Sequence, residues 1–192
     1  MYFKSGFIAL LAPAFIFSNS RANSFAALSS AALVAPFANP TPSWPVSVKD
    51  VKADGTAGGT ATSGSFATRD LNTVEGDDDI VSLSSNQITL TPGTYDIWAC
   101  VPTHRANTVQ TRLRNTTDST DAIIGTSAYS DPSAGIANVY SFIVGHLVLT
   151  SPKTFEVQME VQTTRAGDGF GQESSVTGQS EVYTQVVVRK LK

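Results

Sequence analysis

The chain has 192 residues, of which 41% are hydrophobic and only 15% are charged, and its formal net charge is −3 at pH 7. This length suits one domain of ordinary size with an appendage, and the charge provides no basic surface for nucleic acid. The single cysteine, Cys100, excludes an intrachain disulfide, so the core must rest on buried apolar side chains.

The first 45 residues form an apolar arm whose composition differs from that of the remaining chain. Lys4 precedes a short apolar run, and a Ser-Arg-Ala sequence ends at Ala22, a pattern typical of a secretory signal. The run is too short for a transmembrane helix and contains Pro13, so no stable membrane span is predicted.

Apolar residues continue beyond Ala22, which leaves two interpretations of the arm open. The favoured one is a retained arm, extended or partly helical, that docks onto another protein, because large exposed apolar patches mark interaction surfaces. The other is a signal peptide cleaved near Ala22, or a membrane contact. The candidate anchoring residues are the large apolar side chains of the arm: Phe7, Ile8, Leu10, Leu11, Phe15, Phe17, Phe25, Leu28, Leu33 and Phe37.

Two connecting segments precede the predicted strand domain. The proline-rich residues 40–45 predict a stiff, extended connector, and residues 46–64 are predicted to be a linker or surface loop. Further on, an acidic run offers Asp77, Asp78 and Asp79 as ligands for a hard cation such as Ca²⁺. A solvated acidic loop is the preferred interpretation of that run, because the spacing is not that of an EF-hand.

Residues 65–192 are predicted to form an antiparallel, all-β jelly-roll sandwich. Residues 155–162 alternate strictly between apolar and polar, which indicates a strand with one wet face. Turn sequences recur at short intervals and no long helical periodicity appears.

Two predicted strands, residues 140–149 and 182–188, are apolar on both faces. The second sheet covers one face of such a strand, so we expect another subunit to cover the other face. The candidate interface residues are Tyr140, Phe142, Val144 and Val187.

Several segments resemble phage and prophage virion proteins, such as tail-fibre or minor structural proteins, that carry a complement/tumour-necrosis-factor-like jelly roll. The segments that carry the resemblance are Ile88–Tyr95, Thr111–Asp118, Ser141–Gly145, Thr163–Gly171 and Glu181–Val186. The resemblance spans about residues 82–192, and the loop at 163–171 is its most specific part. It implies a homotrimer on the surface of a virus particle.

The loop at 163–171 also contains the candidate receptor-contact residues Arg165, Asp168 and Phe170. A tight turn with Phe170 packed against the core is the preferred interpretation of this loop, and contact with a host glycan or protein is the alternative. His104 is predicted on an exposed loop and His146 within a strand, and two histidines are too few for a histidine-rich metal site or a convincing catalytic triad.

The sequence therefore predicts a bacteriophage virion structural protein, either a fibre or spike or a decoration protein, with no catalytic activity and no required cofactor. The arm would anchor it to a capsid or tail protein, and the opposite face would contact the host surface. A secreted or surface-anchored bacterial adhesin, processed near Ala22, is the alternative.

Overall fold

The computed structural model describes residues 44–76, 79–133, 137–174 and 176–192. The anchoring candidates of the arm lie outside these residues. Within the described parts of the chain, no helix is long and apolar enough to cross a membrane. The same residues form twelve strands: β1 (Val46–Lys52), β2 (Ala67–Thr68), β3 (Thr73–Glu75), β4 (Val81–Ser84), β5 (Gln87–Leu90), β6 (Gly93–His104), β7 (Asn107–Asn115), β8 (Thr120–Ile124), β9 (Ala128–Ser130), β10 (Asn138–Leu149), β11 (Lys153–Val161) and β12 (Glu181–Lys190).

The strands pair into two antiparallel sheets. The first has the order β10-β6-β12-β1-β3, and the second has the order β4-β5-β11-β7-β8, with β2 paired to β11 and β9 paired to β7. The chain crosses between the sheets from β5 to β6 and again from β6 to β7, and β1 pairs with the distant β12. This order is that of a jelly roll, and it confirms the predicted fold class.

Alternation along the strands builds the core between the two sheets. In β11, Phe155, Val157, Met159 and Val161 are buried, as the period-two pattern of the sequence predicted. Opposite them, β6 contributes Tyr95, Ile97, Ala99 and Val101 to the same core.

The position of β1 differs from the sequence prediction, which placed residues 46–64 in a linker or surface loop. Residues 46–52 instead form a strand between β12 and β3, with Val46 paired to Val188 and Val48 paired to Val74. Of the three valines in β1, Val46 and Val48 are buried in the core and Val51 is half-buried, and this short pattern was not enough to predict a strand. Only the remainder of that segment runs as a loop, joined by a bridge between Ala61 and Arg165.

Candidate assembly face and the loop at 163–171

The outer surface of the first sheet carries a row of exposed apolar side chains. Along β10, the even-numbered residues from Tyr140 to Val148 point outward, while Ser141, Ile143 and Leu147 are buried on the core side. Large side chains on this surface are exposed by 38% at Phe142 to as much as 70% at Val148. The apolar face, as we call it below, consists of Trp98, Tyr140, Phe142, Val144, Val148 and Val187.

Strand register makes the apolar face continuous across the sheet. Val144 pairs with Trp98, and Trp98 pairs with Val187 of β12. The rings of Trp98 and Phe142 lie with their centroids 6.1 Å apart. Val187 in turn pairs with the polar Ser47 of β1, so the apolar row runs from the edge strand β10 to β12.

The four predicted interface residues thus lie on one surface. Tyr140, Phe142 and Val144 are exposed there, and Val187 is half-buried. Sequence reasoning missed Trp98, although the alternation of β6 contained the signal. Because that alternation assigns Ile97 and Ala99 to the core, it leaves Trp98 on the outer face.

Polar groups border the apolar face. At one end, Nδ1 of His146 lies 2.9 Å from a carboxylate oxygen of Asp96, and both side chains are about half exposed. Across the sheet, Lys49 is paired with Glu75. Within the face, Cys100 is half-buried next to Phe142, and burial raises the pKa of its thiol. An apolar centre with a polar border is the usual organisation of a protein–protein interface.

The loop at 163–171 is held by a partly buried polar cluster. Arg165 donates from Nε and Nη2 to the two carboxylate oxygens of Asp168, at 2.5 and 2.6 Å. Asp168 also lies 3.2 Å from Nδ1 of His104, and Arg165 is the main cause that lowers the pKa of this carboxyl. His104 is only 2% exposed, because the Gly169 carbonyl accepts its backbone N–H and the loop covers the ring, so its prediction as an exposed loop residue is wrong.

Phe170 must be removed from the candidate receptor contacts. It is buried at 7% exposure, and the guanidinium carbon of Arg69 lies 3.9 Å from the centre of its ring. The loop therefore has the preferred form, a turn with Phe170 packed against the core. Arg165 and Asp168 remain partly accessible, but their charges are already paired with each other.

Arg69 is a fully buried cation that ties the two sheets together. Its backbone N–H donates to Val157 in the second sheet, and its Nε donates to Oγ1 of Thr184 in the first sheet, at 2.9 Å. Its Nη2 donates to the Phe170 carbonyl at 2.7 Å. Burial lowers the pKa of Arg69 to about 9, against the opposing fields of Asp50 and Asp70.

A buried carboxylate accompanies this cation. Asp50 of β1 points into the sandwich, and burial raises its pKa. Lys52 lies 3.3 Å from its Oδ1, close enough for an ion pair but without the geometry of a hydrogen bond. No sequence pattern distinguishes Asp50 or Arg69 from surface residues, so both were missed.

The candidate cation ligands Asp77 and Asp78 lie outside the described residues, and Asp79 is exposed. Among the residues that the structure does describe, no three histidine, cysteine or acidic side chains are grouped as metal ligands. The cation site therefore stays a prediction.

Strand order, register and the shared core define the described domain as an antiparallel jelly roll, and the apolar face is its candidate site. No protein-family model and no curated protein matches the chain. Among solved structures, the globular domain of zebrafish complement 1qA protein is similar at 15% identity with a TM-score of 0.47, covering 79% of this chain and 97% of that chain. Murine APRIL at pH 8.0 is similar at 10% identity with a TM-score of 0.47, covering 77% of this chain and 100% of the other.

Proposed function

We propose that this chain is a structural protein of a bacteriophage virion, and that three copies assemble through the apolar face. Residues 1–45 would attach the trimer to a capsid or tail protein, with the domain on the virion surface as a fibre, spike or decoration. The observation that carries the proposal is the apolar face itself, which runs from β10 to β12 and includes exposed Trp98 and Phe142. The resemblance of residues 82–192 to phage virion proteins supports the proposed location on the virion surface.

The energetics of the apolar face favour assembly. Complete burial of a large apolar side chain contributes about 1.5–3 kcal/mol relative to exposure. Its five most exposed members retain roughly half of their surface in water, so covering them would contribute roughly 4–7 kcal/mol per interface before the costs of association. A sheet face of this kind on a solitary domain would promote unspecific pairing, particularly along an edge strand such as β10.

Two variants of the full chain test the assembly. Val144 on the apolar face and Ile124 on β8 of the other sheet are exposed by 62% and 60%, so V144K and I124K introduce the same charge at equal exposure. Sedimentation equilibrium should give a trimer for the wild type and for I124K, and a monomer for V144K. A monomeric wild type, or equal loss of the trimer in both variants, would refute the proposal.

Location needs a separate measurement. Antibodies against the domain should decorate the surface of intact particles, with label in multiples of three at each site. The intact mass of the native protein tests the arm at the same time, since the adhesin alternative requires cleavage near Ala22. A mature N-terminus at that position, on protein secreted by a bacterium, would exclude a virion anchor.

A further inference from the structure

A groove of about 530 Å³ opens on the second sheet, on the side of the sandwich opposite the apolar face. It forms where β7 is flanked by the end of β11 and by the short strand β9. Because the groove and the apolar face lie on different sheets, assembly through the apolar face leaves the groove open to solvent. The groove therefore stays accessible to a host partner when the trimer has formed.

Polar side chains line the groove, and part of them is fixed by internal hydrogen bonds. The Gln110 amide donates to the Gly125 carbonyl at 2.7 Å and accepts from the Ser127 hydroxyl at 3.0 Å. Thr108 donates to Oε1 of Gln162, also at 3.0 Å. These bonds hold the side chains in place before any ligand arrives, which reduces the entropy that binding must overcome.

Other polar groups of the groove are left for a ligand. Gln162 accepts at Oε1 within the groove, and among the described residues its Nε2 makes no hydrogen bond. The half-buried Glu160 carboxylate has no bonding partner among the described residues. The groove therefore offers an amide donor beside a charged acceptor, and none of the described residues that line it is a cation.

An exposed aromatic ring adjoins these groups. Tyr129 is 57% exposed, and it is the cross-strand partner of Thr108 on the outer face of the sheet. Directly paired side chains have Cβ atoms about 5 Å apart, so the Tyr129 side chain begins next to that of Thr108, which lines the groove. A tyrosine ring presents a broad apolar surface that is already rigid.

We infer that this groove binds a neutral carbohydrate. A sugar ring has hydroxyls along its edge that match an amide donor and a carboxylate acceptor, and a C–H face that matches an aromatic ring. An acidic sugar would be repelled by Glu160, since no lining cation offsets its charge. This names the class of host partner left open above, so it rests on the proposed function, and a trimer would present three such grooves at once.

The experiment uses the full chain on an array of immobilised neutral di- to tetrasaccharides built from glucose, galactose, mannose and N-acetylglucosamine, with sialyllactose and oligogalacturonate as acidic probes. Wild-type protein should bind one or more neutral members and neither acidic probe. Y129A and Q162A should each weaken that binding about tenfold, while Y129W restores it. W44A is the matched control, because Trp44 is exposed and lies outside the groove, and it should bind as the wild type does.

Three results would overturn the assignment: no neutral member bound, preferential binding of the acidic probes, or full binding by both Y129A and Q162A. Equal thermal unfolding midpoints show that a weakened variant is still folded. V144K separates this inference from the proposed function, because a monomer keeps the groove and should lose only the gain from multivalency. If V144K binds the sugar as strongly as the wild type does, and Y129A binds it more weakly, the result supports sugar binding in the groove and refutes the proposed trimer.

Discussion

Replacing Arg69 by alanine removes the buried cation that joins the two sheets. The two hydrogen bonds from the guanidinium, to Thr184 and to the Phe170 carbonyl, contribute about 1.5–3 kcal/mol each. The contact with the Phe170 ring stabilises the fold by about 2 kcal/mol more. Against these gains, burying the guanidinium costs several kcal/mol, and the alanine variant no longer carries that cost. We therefore expect R69A to lower the free energy of unfolding by about 3–5 kcal/mol.

Thermal unfolding followed by circular dichroism measures this loss. For a domain of this size, the expected loss lowers Tm by roughly 10–15 °C. All variants must be compared at one protein concentration, because the Tm of an oligomer depends on it. R165A is the control, since the Arg165 side chain is about one-third exposed and its removal should shift Tm far less.

A second substitution tests whether Asp50 belongs to the same network. The field of Asp50 favours the charged form of Arg69, and both groups are buried. The double variant D50N/R69M should therefore be more stable than the sum of its single changes predicts, because asparagine needs no counter-charge. The reasoning is refuted if R69A unfolds within about 1 kcal/mol of the wild type, or if the two changes are additive.

Three further predictions concern other parts of the fold. Arg165 lowers the pKa of Asp168 below its usual 3.8, so the stability that Asp168 contributes is complete above that value and is lost as the pH falls through the lowered pKa. Tm measured from about pH 6 to about pH 2 should fall less steeply in D168N, and an unchanged slope would contradict this origin. Cys100 should react slowly with iodoacetamide in the trimer and faster in V144K, because the apolar face around it is then uncovered, and equal rates would argue against coverage. A Cβ on Gly58 would lie 2.7 Å from the carbonyl carbon of Phe170, so G58A should cost about 1–3 kcal/mol in urea unfolding, whereas a wild-type midpoint would show that the backbone yields.

Much of the fold could be predicted from local patterns. The alternation in residues 155–162 identified the core face of β11, and apolar residues on both faces of β10 predicted that its outer row would need cover. Such patterns are readable because side chains on a strand point alternately to its two faces. The same rule accounts for Trp98, whose outward position follows from its neighbours in β6.

The remainder depended on contacts between distant parts of the chain. β1 is placed in the sheet by pairing with β12 more than a hundred residues later, and its own sequence contains only two apolar core residues. The candidate groove likewise collects polar side chains from β7, from the end of β11 and from the residue before β9, which no local motif connects. Arg69 looks like any surface arginine in the sequence, because its burial is decided by Thr184 and Phe170 across the sandwich.

The pairing of β1 with β12 also bears on how the domain is made. Val46 and Val188 are partners in one ladder, so the first sheet stays without its middle strand until residues 181–190 have left the ribosome. Contacts of such long sequence separation slow folding, and they delay closure of the core until β12 has been synthesised. Until then the core faces of the two sheets stay open to solvent, and a chaperone or a neighbouring nascent chain has access to them.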